Sequence, residues 1–308
     1  MITKVKTKTY EEWKALRKKY IGGSDASAVI GLNPYKSAYA LWAEKTGKIP
    51  EFEGNLATEV GTYLEDFVAK KFEEETGLKV RRDTASIFNS KYPWAIANVD
   101  RMIVGEDAIL ECKTTSELNL KKFKNGEYPP TYYCQVMHYL AVTGKKKAYI
   151  AVLIGNRDFK VFEVERDEDE INALMEAESK LYELIQKGIA PEPDGLKSTS
   201  TTLTTLYPES NDQKVNLQNY AGEIALYISL GEQIKQMEES KEKVANRIKA
   251  YMQDNGRGET DRYNVTWTSA ERKSLDTKRL KKERPDLDLS GYYNTSNYRT
   301  FKVTEKGE

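Results

Sequence analysis

The 308-residue chain is 39% hydrophobic and 31% charged, a composition that suits a folded, well-charged protein and excludes a disordered one. Lys plus Arg equals Asp plus Glu at 48 each, which argues against a generic polyanion binder while leaving room for one local basic groove. Two cysteines, Cys112 and Cys134, make neither a disulfide framework nor a zinc cluster, and a single histidine, His138, disfavours histidine triads and histidine-rich metal sites.

The first 20 residues have no apolar core of the kind a secretory signal needs, and no run approaches the ~20 apolar residues that span a bilayer. The expected setting is the reducing cytoplasm. In chain order, residues 10–20 read as a helix, and a Gly-Gly-Ser loop follows. Ser24 is the expected N-cap of a short helix over 24–32. A helix over 37–47 stops at Gly47, and one over 61–77 shows an apolar stripe of Leu64, Phe67, Val68 and Phe72 before Gly77. A strand follows at 78–83, then two or three strands over 86–116 with a Gly-Glu-Asp turn at 105–107. Residues 131–144 are a helix, 146–167 a hairpin and 167–188 a charged amphipathic helix.

The pattern predicts a domain over 1–190, a Pro- and Ser/Thr-rich linker over 191–212, and a C-terminal extension over 213–308. In the extension, Leu230, Ile234, Met237, Val244, Ile248 and Tyr251 keep three-four spacing, with Lys241 breaking the apolar run. This seam fits an oligomer contact, a partner docking surface or a fold-back equally well. RYNVTWTSA and NYRTFKV suggest a terminal β-hairpin or small cap. The order α, α, β-β-β, α, β-β, α fits an α/β (α+β) fold, a mixed sheet flanked by helices.

The chemistry concentrates in NVDRMIVGEDAILECKTTS, residues 98–116. Glu111 and Lys113 share a strand face, while Cys112 points the other way as a small hydrophobe. The turn at 105–107 lets Asp100 approach Glu111. Two converging carboxylates repel unless a cation lies between them, and Mg²⁺ suits a few carboxylates plus waters and phosphate oxygens. Lys113 could orient or deprotonate an attacking water and stabilise developing charge. An isolated Glu-x-Lys is more often a plain ion pair at a strand end.

Three neighbours bear on the choice. Glu65 lies next to the expected core-facing Leu64, though a lone helical glutamate usually faces solvent. Gln135 sits in an apolar helix, as a satisfied core amide or a water-positioning group. Arg17, the Gly-Gly turn and Ser24 can form an anion pocket, or simply a capped helix with a surface arginine. His138, one turn from Gln135, is read as a packing residue.

W-x-x-x-R followed by IGGSDASAVIGLNPYKSAYALWAEKTG, then GTYLEDF, VDRM, LECKTTS and YYCQVMHYLAVTG run in order over residues 10 to about 165. Together they resemble the YqaJ-like viral recombinase family, to which phage lambda exonuclease is related. The resemblance implies a restriction-endonuclease-like PD-(D/E)xK fold and Mg²⁺-dependent digestion of linear double-stranded DNA from 5′ ends, with Mn²⁺ as a substitute and two metal ions per site. It implies 3′ single-stranded tails destined for a single-strand annealing protein, a ring-shaped trimer, and the cytoplasm of a host cell if the gene is phage-encoded.

By position, Asp100, Glu111 and the Cys112 backbone carbonyl would be metal ligands and Lys113 the catalytic lysine. Glu65 would be an upstream acid near the metals and Gln135 a water- or metal-positioning group. Arg17 and Ser24 would bind the DNA 5′ phosphate, and Trp13 would contact the DNA end. The proline of the motif name is absent, since Asp100 follows Val99. The region after about 190 has no counterpart in the compact lambda enzyme and receives no residue roles. Two other expectations compete: a nuclease of the same fold with different polarity or structure specificity, and a non-catalytic DNA-end or annealing-protein binding module.

Overall fold

The computed structural model describes residues 1–294 and 298–306. They fall into two units, Met1–Tyr207 and Pro208–Glu308. In chain order the first unit holds β1 (Ile2–Val5), α1 (Tyr10–Lys19), β2 (Ile21–Gly22), α2 (Gly23–Val29), α3 (Ala38–Lys45) and α4 (Leu56–Thr76). Then come β3 (Val80–Arg82), β4 (Ser86–Asn89), β5 (Ala95–Ile96), β6 (Arg101–Ile103) and β7 (Ala108–Thr115). A 3₁₀ turn at Glu117–Phe123 leads to α5 (Pro130–Thr143), β8 (Lys147–Ile154), β9 (Asp158–Glu165), α6 (Glu168–Lys187) and α7 (Lys197–Leu206).

The central sheet has the order β3-β6-β7-β8-β9. Only the β7–β8 pair is parallel, and α5 makes the crossover that a parallel connection requires. This is the mixed, helix-flanked sheet expected from the element order. Strand alternation then sorts β7. Ala108, Leu110 and Cys112 pack against Val68, Ala69 and Phe72 of α4. Ile109 faces the other way, toward Val136, Met137 and Leu140 of α5, with α6 beyond. Phe72 is fully buried, and its ring lies 5.4 Å from that of Tyr149. Burying such a side chain contributes about 2–3 kcal/mol.

Two expectations about helices need correction. α4 begins at Leu56 with Asn55 as its cap, and its first two turns are largely exposed. Phe67 is 52% exposed and Leu64 only partly buried, so the stripe that meets the sheet is Val68, Ala69 and Phe72. The stretch read as a linker over 191–212 contains α7, so the first unit runs to Tyr207 and not to 190. Leu203 and Leu206 pack on the cluster around Leu41 and Trp42. The hydroxyls of Thr204 and Thr205 donate back to the carbonyls of Ser200 and Thr201, each at 3.0 Å. A Ser/Thr run can therefore stay helical once its hydroxyls bond within the helix.

His138 joins α5 to α6. Its Nδ1 lies 2.8 Å from Glu178 Oε1 and its Nε2 3.0 Å from the Ile96 carbonyl oxygen, all fully enclosed. Burial pushes the imidazole toward neutrality, but the Glu178 carboxylate outweighs it and raises the pKa. These contacts give His138 a packing role.

The second unit holds α8 (Ala221–Met252), β10 (Arg257–Glu259), β11 (Asn264–Thr266) and α9 (Thr277–Glu283). RYNVTWTSA supplies one strand of a hairpin, but its partner is the preceding Arg257–Glu259. The described residues of NYRTFKV, 298–303, form no strand, and Asn297 lies outside the described residues. Among the described residues no helix is long and apolar enough to cross a membrane.

Candidate active site

β6 and β7 pair with Arg101 opposite Leu110 and Met102 opposite Ile109, so the next step along the ladder sets Asp100 beside Glu111. Asp100 Oδ2 accepts a hydrogen bond from the Cys112 amide at 2.7 Å. Glu111 Oε1 accepts from Lys113 Nζ at 2.7 Å and from Gln135 Nε2 at 2.6 Å. Lys113 also donates to Gln135 Oε1 at 2.7 Å, and Gln135 Nε2 reaches the Tyr139 hydroxyl at 3.1 Å. The Glu111–Lys113 ion pair is therefore real, but it does not complete the site. Glu111 Oε2 is buried with no hydrogen-bond partner.

Electrostatics mark the same spot. Desolvation, followed by the nearby Glu111 and Glu65 carboxylates, pushes the Asp100 pKa well above its usual value. Burial also raises Glu111, and Lys113 offsets only part of that. For Lys113, burial favours the neutral amine, yet the charge of Glu111 and its hydrogen bond outweigh burial and raise the pKa. The pairing with Glu111 thus favours the charged form of Lys113, which suits it to orienting a water and steadying developing charge.

Glu65 lies on the wall of the same cleft, held by a charge partner of its own. The buried Arg101 guanidinium pairs with both Glu65 and Asp66, and its Nη1 also donates to the Asp100 carbonyl oxygen at 2.6 Å. Arg82, on the rim, approaches Glu65 at 3.8 Å and Asp66 at 3.9 Å.

Arg17 Nη2 donates to Ser24 Oγ at 2.8 Å, and its guanidinium lies 5.0 Å from the centre of the Trp13 ring. Trp13 Nε1 in turn donates to Asn98 Oδ1 at 3.1 Å. Ser24 is not the cap of α2. Gly22 holds that place, and Asp25 reaches back to the Gly22 amide at 3.1 Å, which leaves the Ser24 hydroxyl to Arg17. Burial would raise the Asp25 pKa, but Lys45 and Arg17 hold it below the usual value. Lys45 is the tie of this corner. Its Nζ reaches Asp25 at 2.9 Å and the carbonyls of Arg17 and Tyr20 at 2.9 and 2.7 Å.

Trp13, Arg17, Ser24, Glu65, Asp100, Glu111 and Gln135 all line one cleft of about 340 Å³. Lys113 reaches it through Glu111 and Gln135, and Cys112 contributes its backbone. Sequence reasoning missed Asn98, Arg101 and Lys45, whose partners lie far along the chain, and Tyr139, one helical turn after Gln135 in α5.

Gly23 is required by packing. A Cβ there would stand 2.4 Å from Tyr139 Cε1 and 2.9 Å from its Cζ. Gly23→Ala is therefore expected to displace the Tyr139 ring and loosen Gln135. Urea denaturation should read a loss of about 1–3 kcal/mol.

The donor set suits a hard divalent cation that keeps most of its own shell. An unpartnered carboxylate oxygen on Glu111 beside Asp100 supplies two anionic ligands, with the Cys112 carbonyl as a candidate third. Among the described residues no cage of three or more His, Cys, Asp or Glu side chains is assembled. Glu65 is committed to Arg101, so waters and substrate oxygens would complete the shell.

Comparison with known proteins agrees with the fold and the motif order. The model of the YqaJ-like viral recombinase domain matches residues 12–146. The uncharacterized protein YqaJ of Bacillus subtilis (strain 168) is 40% identical over 301 residues, 96% of this chain and 94% of that protein. Protein D345L of African swine fever virus (strain Badajoz 1971 Vero-adapted) is 42% identical over 55 residues, 18% of this chain and 16% of its own length. Among solved structures, the alkaline exonuclease LHK-Exo from Laribacter hongkongensis superposes with a TM-score of 0.50 at 21% identity, covering 58% of this chain and 93% of that one. The near-full-length match to the Bacillus protein and the domain match within it place this chain in the YqaJ-like viral recombinase family.

Proposed function

We propose that this chain is a divalent-metal-dependent exonuclease that digests linear double-stranded DNA from 5′ ends, leaving 3′ single-stranded tails for an annealing partner. The observation that carries this reading is the buried, unpartnered Glu111 oxygen beside Asp100, in the same cleft as the Arg17–Ser24 pair. Mg²⁺, or Mn²⁺ in its place, would be held by Asp100, Glu111 and the Cys112 carbonyl. When bound, it would polarise the scissile phosphate and lower the pKa of a bound water. A second ion would draw on Glu65 only if Arg101 released it.

The chain's own residues do the rest. Gln135 and Lys113 fix the Glu111 carboxylate, so that one oxygen stays turned to the cleft. The Lys113 ammonium stabilises charge developing on the phosphate. Arg17 and Ser24 would hold the terminal 5′ phosphate, with Trp13 stacked beside the guanidinium at the DNA end.

Linear duplex labelled at either end, with 5′-phosphate or 5′-hydroxyl termini, tests the reading. The 5′ label should be lost first, EDTA should stop digestion, and 5′-hydroxyl ends should be cut more slowly. Arg17→Ala should slow digestion of phosphorylated ends about 10–100-fold, toward the hydroxyl rate. Loss of the 3′ label first, or equal rates on both termini, would favour a same-fold nuclease of another polarity. A chain that binds ends but cuts nothing in Mg²⁺ would be a binding module.

A further inference from the structure

Charge is balanced over the whole chain but not locally. Between Arg272 and Arg284, in the second unit, seven lysines and arginines stand against two acids, Asp276 and Glu283, and all seven basic residues are exposed. Three of them pair with near neighbours: Lys273 with Glu271 at 3.6 Å, Arg279 with Glu283 at 2.8 Å and Arg284 with Asp286 at 2.8 Å. Among the described residues Arg272, Lys278, Lys281 and Lys282 have no ion-pair partner. α9 sets Lys278, Lys281 and Lys282 three and four residues apart, and therefore on one face. Both acids lie on the opposite side of that helix. Asp276 caps it, accepting from the Arg279 amide at 2.9 Å, and Glu283 holds the Arg279 guanidinium.

After α9 the chain returns to the lysine face. A 3₁₀ turn at Ser290–Tyr292 leads into Tyr293, whose ring centre lies 5.4 Å from the Lys281 ammonium. Tyr293 is still 58% exposed and Tyr292 84% exposed. Free ammonium groups and open aromatic rings on one surface suit one ligand above others. Backbone phosphates meet the ammonium groups, and unpaired bases stack on the rings. A duplex keeps its bases stacked on each other, so it would engage the lysines and leave the rings in water. An acidic protein segment would likewise need the charges alone. A single strand uses both.

We propose that this surface of the second unit, Lys278, Lys281 and Lys282 of α9 with Tyr292 and Tyr293 beside them, binds single-stranded DNA. The proposal rests on the exonuclease reading for the source of the strand, the 3′ tail that digestion would leave. The binding itself needs no cleavage.

Fluorescence anisotropy of the full chain in EDTA tests this, with a labelled 5′-hydroxyl oligothymidylate of about 30 nucleotides as the probe. EDTA stops cutting, and the missing 5′ phosphate removes the group expected at Arg17 and Ser24. Lys281→Glu combined with Lys282→Glu should raise the Kd for the strand at least about tenfold. Lys282→Gln alone should lower the slope of log affinity against log salt by about 0.7. Tyr293→Ala should raise the Kd about fivefold or more, while Tyr293→Phe, which keeps the stacking ring, should stay within about twofold of the wild type. A blunt duplex of the same length should bind Tyr293→Ala and the wild type alike. Circular dichroism should find the fold intact in every variant. Equal losses for strand and duplex in Tyr293→Ala, or a strand affinity that none of the substitutions moves, would overturn the proposal. The second outcome would leave the surface to a protein partner. Failure of the exonuclease reading looks different: the protein would cut no 5′ end, yet these variants would still lose their grip on the strand.

Discussion

Asp100→Asn should abolish nuclease activity, by about 10³-fold or more, while raising the melting temperature of the metal-free protein. The substitution keeps the shape and the acceptor that the Cys112 amide uses at 2.7 Å. What it removes is a negative charge in a desolvated position next to Glu111 and Glu65. The sign follows from the raised pKa. Below the unfolded carboxyl's value both states are protonated, and Asp100 costs nothing. As pH rises, the unfolded chain ionises first, and folding loses stability until the pH passes the folded value. At neutral pH the wild type therefore carries a penalty that the variant lacks. In EDTA at pH 8 the variant should melt a few degrees higher, and the gap should shrink as pH falls toward 4. Adding Mg²⁺ should raise the melting temperature of the wild type and leave the variant nearly unmoved. A lower melting temperature for Asp100→Asn in EDTA would mean that the carboxylate mainly supports the β7 backbone.

The site was legible where local periodicity sets geometry. A two-residue period fixes Glu111 and Lys113 on one face and Cys112 on the other, and the turn at Gly105 fixes the strand that brings Asp100 alongside. What the sequence could not express is which distant charge completes a site. Arg101 is one residue from Asp100, yet its partners Glu65 and Asp66 are a helix away, and nothing local says that the guanidinium turns toward α4. The same holds for Lys45, whose contacts with Arg17 and Tyr20 span more than 20 residues. Arg17 and Ser24 are expected together in an anion pocket at a helix start, and the structure brings them to 2.8 Å, but without Ser24 as the cap. Gly22 holds the cap position, its amide donates to Asp25, and the Ser24 hydroxyl accepts from Arg17. α7 was misread because Ser and Thr disfavour helices on average. Here their hydroxyls bond within the helix and Leu203 and Leu206 bury against α3.

Lys113→Met should lower the rate of DNA cleavage by about 10³-fold, and the residual activity should need a more alkaline pH. Met matches the length of the lysine stem, so the expected loss is of the ammonium and its two 2.7 Å contacts, to Glu111 and Gln135. Burial already raises the Glu111 pKa, and Lys113 is what opposes it. Without that opposition Glu111 holds its proton to higher pH. If cleavage requires the Glu111 carboxylate, the acidic limb of the pH–rate profile must move up. Lys113→Arg should not rescue the rate, because one compact Nζ serves both partners and a planar fork would have to displace Gln135. The profile also separates two roles for the lysine. A Lys113 acting as a neutral base would give the wild type a limb above the ordinary lysine pKa, since Glu111 raises it further, and the variant would lose that limb. An ammonium that steadies Glu111 and the phosphate predicts no such limb, and an acidic one that shifts when the lysine is removed.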